Sequence, residues 1–202
     1  MPKPVPDDQL PHGVPVLRTV GDSHCKWSFI GVPGVHAHWL GPVTMHRIGR
    51  DGLDLSEVPN DGRTLLCFGE IDVRCHLGVH SQDHPGGTSG VISDLSGKFL
   101  QAALNCGRRV AVMSVVPPAY VDSTPQHWDL PVHGSDEDRS LLTRELNESL
   151  RMGCLEHGLE YLDVHAAYAD EDGMLPPELS DGNVHIGDPS RLRKLLEEMK
   201  WA

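Results

Sequence analysis

Four short apolar runs along the chain each have the length of a buried strand. They cover residues 14–20, 63–68, 110–116 and 159–164. The run at 110–116 is almost continuously apolar, which is typical of a strand covered by helices on both faces. A less apolar segment within residues 31–39 also predicts a short strand.

Between the later strands, apolar residues recur at helical intervals. They predict a helix over residues 89–105, ended by Cys106-Gly107, and a second helix that begins at the acidic segment 135–138. A third helix should follow Asp188-Pro189, with the proline at its first position. Strands that alternate with helices favour a central parallel sheet between helical layers. The predicted fold is therefore a three-layer α/β/α sandwich.

Length and charge narrow the class of protein. With 202 residues, the chain predicts one domain over residues 14–202, preceded by a Pro-rich extended arm at 1–13. The net charge of −12 argues against a nucleic-acid partner. No apolar stretch is long enough for a bilayer span or resembles a signal peptide, so no membrane partner and a cytoplasmic location are expected. Five cysteines without a C-x-x-C pair predict neither a disulfide framework nor a cysteine-rich zinc site.

A serine stands where the first strand should end. The segment 19–24 reads Thr-Val-Gly-Asp-Ser-His, which would expose Ser23 at the carboxyl edge of the sheet, where open α/β sheets bind ligands. A serine nucleophile needs a histidine base, a carboxylate to orient it and donors for an oxyanion. Asp181 and His185 lie together in a late loop. The sequence thus predicts a Ser-His-Asp site assembled from both ends of the chain.

Three segments together resemble the sequence blocks of the SGNH hydrolases, also called the GDSL-like esterases and lipases. They are Gly21-Asp22-Ser23, the segment 68–72 (Phe-Gly-Glu-Ile-Asp) and the loop 181–185. The family's third block is Gly-x-Asn-Asp, and here Ile71 occupies the asparagine position. Its last block is Asp-x-x-His, whereas here four positions separate the acid from the histidine. The resemblance implies the flavodoxin-like fold of that family.

The resemblance also implies a site and a reaction. Ser23 would be the nucleophile, His185 the base and Asp181 the acid, with Asp163 and Asp188 as reserve acids. An oxyanion donor would come from Gly41, with Gly49 in reserve, and Arg74, held by Asp72 or Glu70, would replace the missing asparagine. His24 and Asp72 complete the expected substrate-binding residues. The implied activity is hydrolysis of a small O-acylated molecule, such as an acetylated sugar, without a cofactor or a metal.

Three alternatives remain open. The same serine could serve an acyltransferase, because transfer and hydrolysis differ only in what attacks the acyl-enzyme. Histidines at intervals of four, His76, His80 and His84, suggest a metal-dependent hydrolase. Alternative ligands are His24, His36, His38 and His76. A non-catalytic binding domain of the same fold would explain Ile71. The expected partner is a small-molecule substrate, and the loop 119–134 with Trp128 is expected to form a wall of its site.

Overall fold

A computed structural model describes residues 16–124 and 130–201 of the chain. These residues form a parallel sheet in the order β2-β1-β3-β4-β5. The strands are β1 (Leu17–Gly21), β2 (Val35–Trp39), β3 (Arg63–Cys67), β4 (Ala111–Met113) and β5 (Glu160–Leu162). Four lie within the segments that predict a strand, and β1 overlaps its segment but extends one residue beyond it to Gly21. The parallel sheet is thus confirmed.

Helices cover both faces of the sheet. They are α1 (His24–Trp27), α2 (Met45–Asp51), α3 (Gly78–His80), α4 (Gly87–Asn105), α5 (Asp136–His157), α6 (Val164–Tyr168) and α7 (Ser190–Glu198). A π-helical segment, Asp72–Leu77, leads into α3, and 3₁₀ turns occupy Val121–Ser123 and Pro177–Leu179. The three long predicted helices correspond to α4, α5 and α7. Pro189 precedes the first helical residue of α7 rather than occupying it.

Alternation along the strands divides the core into two halves. Leu65 and Cys67 of β3 pack with α1, α6 and α7, whereas Leu66 between them packs with α2, α4 and α5. Successive side chains of a strand point to opposite faces, so a continuous apolar run supplies both halves. The predicted three-layer α/β/α sandwich is confirmed.

Capping explains why the longest helix begins and ends where it does. The Ser135 hydroxyl accepts from the backbone N–H of Asp138, and the Asp138 carboxylate accepts from the N–H of Ser135. This reciprocal pair satisfies two donors that the first helical turn leaves free. Gly158 ends α5 in the left-handed conformation, with φ of 67°. The acidic start predicted for this helix is confirmed.

Some predictions fall on residues that the structure does not describe. The arm at 1–13 and Trp128 lie outside the described ranges. None of the described helices is long and apolar enough to cross a membrane. The cytoplasmic location and the single-domain organisation stay predictions.

Gly21 occupies the closest contact between β1 and β3. A Cβ atom at this position would lie 1.9 Å from the carbonyl oxygen of Cys67. Gly21→Ala should therefore push the two strands apart and lower the free energy of unfolding by about 2–3 kcal/mol. Urea denaturation would measure the loss.

Gly97→Ala is the matched control for this substitution. Gly97 lies inside α4, and a Cβ there would meet nothing within 4 Å. The control should gain about 0.5–1 kcal/mol, because alanine favours the helix. Equal stability of the two variants would contradict the steric argument.

Candidate functional site

Three segments meet at the carboxyl edge of the sheet. In the register of the strands, Gly21 at the end of β1 pairs with Trp39 of β2 and with Cys67 of β3. The residues after each strand therefore emerge side by side. The amide of Leu40 donates to the carbonyl of Gly21 over 2.9 Å, which holds the loop after β2 beside the serine turn.

The turn that carries Ser23 is fixed by its aspartate. The buried Asp22 carboxylate accepts from the backbone N–H of His24 over 2.9 Å, and the Asp22 amide donates to the carbonyl of Cys67. Burial raises the pKa of Asp22 to about 6, although the charge of His24 opposes this. Ser23 follows directly as the N-cap residue of α1, so its hydroxyl lies at the strand-to-helix junction.

The structure brings Ser23, His185 and Asp181 into one hydrogen-bonded chain. Nε2 of His185 lies 2.9 Å from Oγ of Ser23, and Nδ1 lies 2.9 Å from Oδ2 of Asp181. A carboxylate can only accept, so Nδ1 carries the proton and Nε2 is free to accept from the serine hydroxyl. This is the connectivity of an acyl-transfer triad.

A tight turn accommodates the four-position separation of acid and histidine. Gly182 has φ of 84°, a conformation that favours glycine. The Asp181 amide donates to the carbonyl of His185 over 3.0 Å, and Oδ1 of Asp181 accepts from the amides of Asn183 and His185. The extra residue therefore closes a turn around the carboxylate and leaves Oδ2 directed at the imidazole.

His185 is held in its neutral form. Burial lowers the pKa of His185 to about 4, and the neighbouring charge of His24 adds to the effect, while Asp181 opposes it. The rings of His24 and His185 are 4.8 Å apart between centroids. At neutral pH His185 can thus accept a proton.

A buried ionic chain lies behind His185. Arg74 donates through Nε and Nη2 to the two oxygens of Glu70, over 2.5 and 3.1 Å. Oε2 of Glu70 in turn lies 3.8 Å from Nε2 of His24, and Nδ1 of His24 lies 3.4 Å from the Ser28 hydroxyl. Although burial opposes ionisation, the neighbouring His24 imidazole and the charge of Arg74 lower the pKa of Glu70 to about 2. Burial also opposes the charge of His24, but Glu70 and Asp22 raise its pKa above the usual value.

Arg74 and Asp72 have different partners from those expected at an oxyanion site. Arg74 is held by Glu70, and its remaining terminal nitrogen donates to the carbonyl of Leu130 over 2.7 Å. Asp72 does not hold it: its carboxylate accepts from the amides of Met45 and His46, the first residues of α2. Burial raises the pKa of Asp72 to about 7. The alternative in which Asp72 holds Arg74 is therefore wrong, because the Asp72 carboxylate fixes the start of α2. Its expected place among the substrate-binding residues stays a prediction.

The two glycine candidates differ in what they contact. Gly41 follows β2 at the site edge with φ of 89°, and a Cβ there would meet nothing within 4 Å. Its role as an oxyanion donor stays a prediction. Gly49 lies inside α2, where a Cβ would come within 2.8 Å of Lys98 in α4. Close packing of α2 against α4 thus explains why a glycine, the reserve oxyanion candidate, stands at position 49. Ile71 is buried and brings no donor.

The two reserve acids serve local contacts, and the histidines spaced at intervals of four do not share one helical face. Asp163 caps α6 and Asp188 accepts from Ser190. The rings of His76 and His80 are 6.1 Å apart, but α3 ends at His80, so His84 does not continue their helical face. Within residues 16–124 and 130–201, no group of three or more His, Cys, Asp or Glu side chains is arranged to hold a metal ion.

Two tryptophans at the site were not among the predicted site residues. The ring of Trp27 is 6.5 Å from that of His185, and Trp39 at the end of β2 is 53% exposed. The sequence could have indicated Trp27, which is one helical turn after Ser23. It could not have indicated Trp39, because the position of Trp39 depends on the pairing of β2 with β1.

Replacing His24 should change the titration of its neighbour. His24→Gln removes a positive charge beside His185 and leaves Glu70 without that counter-ion. Both changes favour the imidazolium, so the pKa of His185 should rise from about 4 toward its ordinary value. Imidazole NMR titration of purified protein would measure it. His157→Gln, at the end of α5, is the control and should leave this pKa unchanged. An unchanged or lower pKa in His24→Gln would contradict the assigned coupling.

Comparisons with known proteins identify the fold. No protein-family model matches the chain, and no curated protein matches it in sequence. Among solved structures, a GDSL-like lipase from Bacteroides thetaiotaomicron superimposes with a TM-score of 0.60 at 13% identity, covering 92% of this chain and 87% of the other. An acetyl-xylooligosaccharide esterase variant from Geobacillus gives 0.54 at 12% identity and 93% of each chain.

A third similar structure is a domain of a Drosophila protein. The OSK domain of Drosophila Oskar matches with a TM-score of 0.54 at 12% identity, over 91% of this chain and 86% of that one. At such identities a likeness establishes architecture and leaves activity to the site residues. The chain has an α/β fold of the SGNH hydrolase type.

Proposed function

We propose that this protein is a serine hydrolase that cleaves the ester of a small O-acylated molecule. The observation that carries the proposal is the chain of two 2.9 Å contacts from Ser23 through His185 to Asp181. It stands at the carboxyl edge of a parallel sheet, where folds of this class bind ligands. The neutral state of His185 supports its role as the base.

The geometry supports a two-step mechanism. Nε2 of His185 takes the Ser23 proton as Oγ attacks the ester carbonyl, and Asp181 stabilises the imidazolium. His185 then returns the proton to the departing alcohol, leaving an acyl-serine. Water, deprotonated by His185, attacks the acyl-serine, and His185 returns that proton to Oγ of Ser23 as the acid is released.

The oxyanion would be stabilised mainly by backbone donors. We propose the amide of Gly41 as one of them, because the loop after β2 lies beside the serine turn. Ile71 has no polar group, and the nitrogens of Arg74 already donate to Glu70 and Leu130. Each oxyanion donor is worth about 10²–10³ in turnover, so a missing side-chain donor predicts a slow enzyme.

The substrates we favour are esters of small acyl groups, acetyl above all. Two of the similar structures are named as esterases of acetylated xylan or its oligosaccharides, which supports an acetylated sugar as a candidate. The expected partner is thus a small-molecule ester.

Ile71 favours a second candidate, a binding domain that retains the fold without turnover. Ile71 stands where the family pattern has an asparagine, so the side-chain oxyanion donor is missing. In addition, the OSK domain is a similar structure that is not named for hydrolysis. Such a domain would bind ligand at the same edge but would leave esters intact.

A fluorophosphonate probe separates these candidates. We expect stoichiometric labelling of Ser23, located by peptide mass mapping, and its loss in His185→Ala, because the unassisted hydroxyl is a poor nucleophile. Ser23→Ala should lower turnover of p-nitrophenyl acetate by about 10³-fold or more.

Ser89→Ala is the serine control, since Ser89 is exposed in the first turn of α4. It should keep wild-type labelling and turnover. An unlabelled Ser23 in folded wild-type protein would refute the hydrolase and favour the binding domain. Added alcohol acceptors would reveal acyl transfer as an acylated product.

Replacing the triad acid tests which carboxylate orients His185. Asp181→Asn preserves size but lets the imidazole adopt the wrong tautomer, so kcat should fall by about 10²–10⁴-fold. Asp163→Asn changes the reserve acid that caps α6 and should alter kcat by less than about threefold. Steady-state hydrolysis of p-nitrophenyl acetate measures both. A larger loss of kcat in Asp163→Asn than in Asp181→Asn would indicate that Asp163 orients His185.

A further inference from the structure

Two indole rings and an ammonium group border the triad on one side. Trp27 ends α1, which starts directly after Ser23, and Trp39 ends β2 in register with Gly21. Nζ of Lys26 lies 4.8 Å from the ring centroid of Trp27 and 5.9 Å from that of Trp39. We call these three side chains, Lys26, Trp27 and Trp39, the indole platform.

The platform faces solvent beside the catalytic histidine. Trp39 is 53% exposed and the next residue, Leu40, is 37% exposed, so two adjacent large apolar side chains meet solvent here. Trp27 is half-buried, with its ring 6.5 Å from that of His185. A molecule whose ester lies at Ser23 would therefore extend over these rings.

Lys26 carries a charge that no carboxylate among residues 16–124 and 130–201 pairs with. Its ammonium lies over the faces of the two indole rings. Other exposed cations, such as Lys98 and Lys194, pair with acids one helical turn away. In a chain of net charge −12, this leaves a local positive charge at the mouth of the site.

We propose that the indole platform binds the alcohol part of the substrate, and that this part is a sugar ring bearing an anionic group. The C–H face of the ring would stack on Trp39, and a carboxylate or phosphate would meet the Lys26 ammonium. An alkyl chain fits the platform less well, since it would remove water from the ammonium without replacing it. This inference rests on the proposed function and adds a substrate class to it.

Competing substrates test the charge preference. The probes are mono-O-acetylated forms of methyl glucoside, methyl glucuronide and glucose 6-phosphate, with p-nitrophenyl octanoate as the alkyl ester. We expect wild-type kcat/KM to favour at least one anionic sugar over the neutral one by about tenfold, equivalent to one charge-assisted contact. The two anionic probes distinguish carboxylate from phosphate recognition.

Variants assign that preference to the platform. Lys26→Gln should abolish the preference for the anionic sugar, and Trp39→Ala should raise KM for all three sugars. Lys194→Gln, a remote exposed lysine on α7, is the control and should keep the wild-type ratios. A preference for the neutral sugar or the octanoate, or an anionic preference that survives in Lys26→Gln, would overturn the proposal.

A binding measurement separates this inference from the proposed activity. Titration of methyl glucuronide and of glucose 6-phosphate into wild-type protein should quench indole fluorescence saturably, with about tenfold weaker binding in Lys26→Gln. Quenching without ester turnover would retain the platform and refute the hydrolase. Ester turnover at Ser23 without quenching by either compound would retain the hydrolase and refute the platform.

Discussion

The close pairing of β1 with its two neighbours is the constraint on which the site depends. β1 has β2 on one side and β3 on the other, and all three strands end at the same level. Gly21 permits this, because any side chain there would strike the Cys67 carbonyl. Ser23, the loop with Gly41 and the segment with Glu70 are consequently delivered to one edge. The final loop needs only to add His185 and its acid.

Around that edge the protein buries an unusual density of ionisable groups. Asp22, His24, Glu70 and Arg74 are all largely removed from solvent. Burying charges costs folding free energy even when they are paired, and replacing such a network with apolar residues often stabilises a protein. The network lies beside His185 and therefore sets the electrostatic environment of that imidazole.

The sequence was sufficient for the sheet, the long helices and the meeting of Ser23, His185 and Asp181, because each left a local pattern. Apolar runs mark the strands, and the segments at 21–23 and 181–185 carry the triad residues together with their turns. The short helices α2 and α6 were missed, since five to seven residues hold too little periodicity to be recognised. The partner of Asp72 and the place of Trp39 were also missed. Both depend on contacts between segments distant in the chain, which no local pattern records.

The span between Ser23 and His185 has a consequence for how the site assembles. Asp181 and His185 are neighbours in one turn, whereas 162 positions separate Ser23 from His185. Contacts between residues so far apart in the chain form late in folding, because closing the intervening loop costs conformational entropy. During synthesis Ser23 leaves the ribosome long before His185, so the nascent chain presents the hydroxyl without its imidazole partner. The hydrogen-bonded arrangement is complete only when the last loop reaches the turn after the first strand.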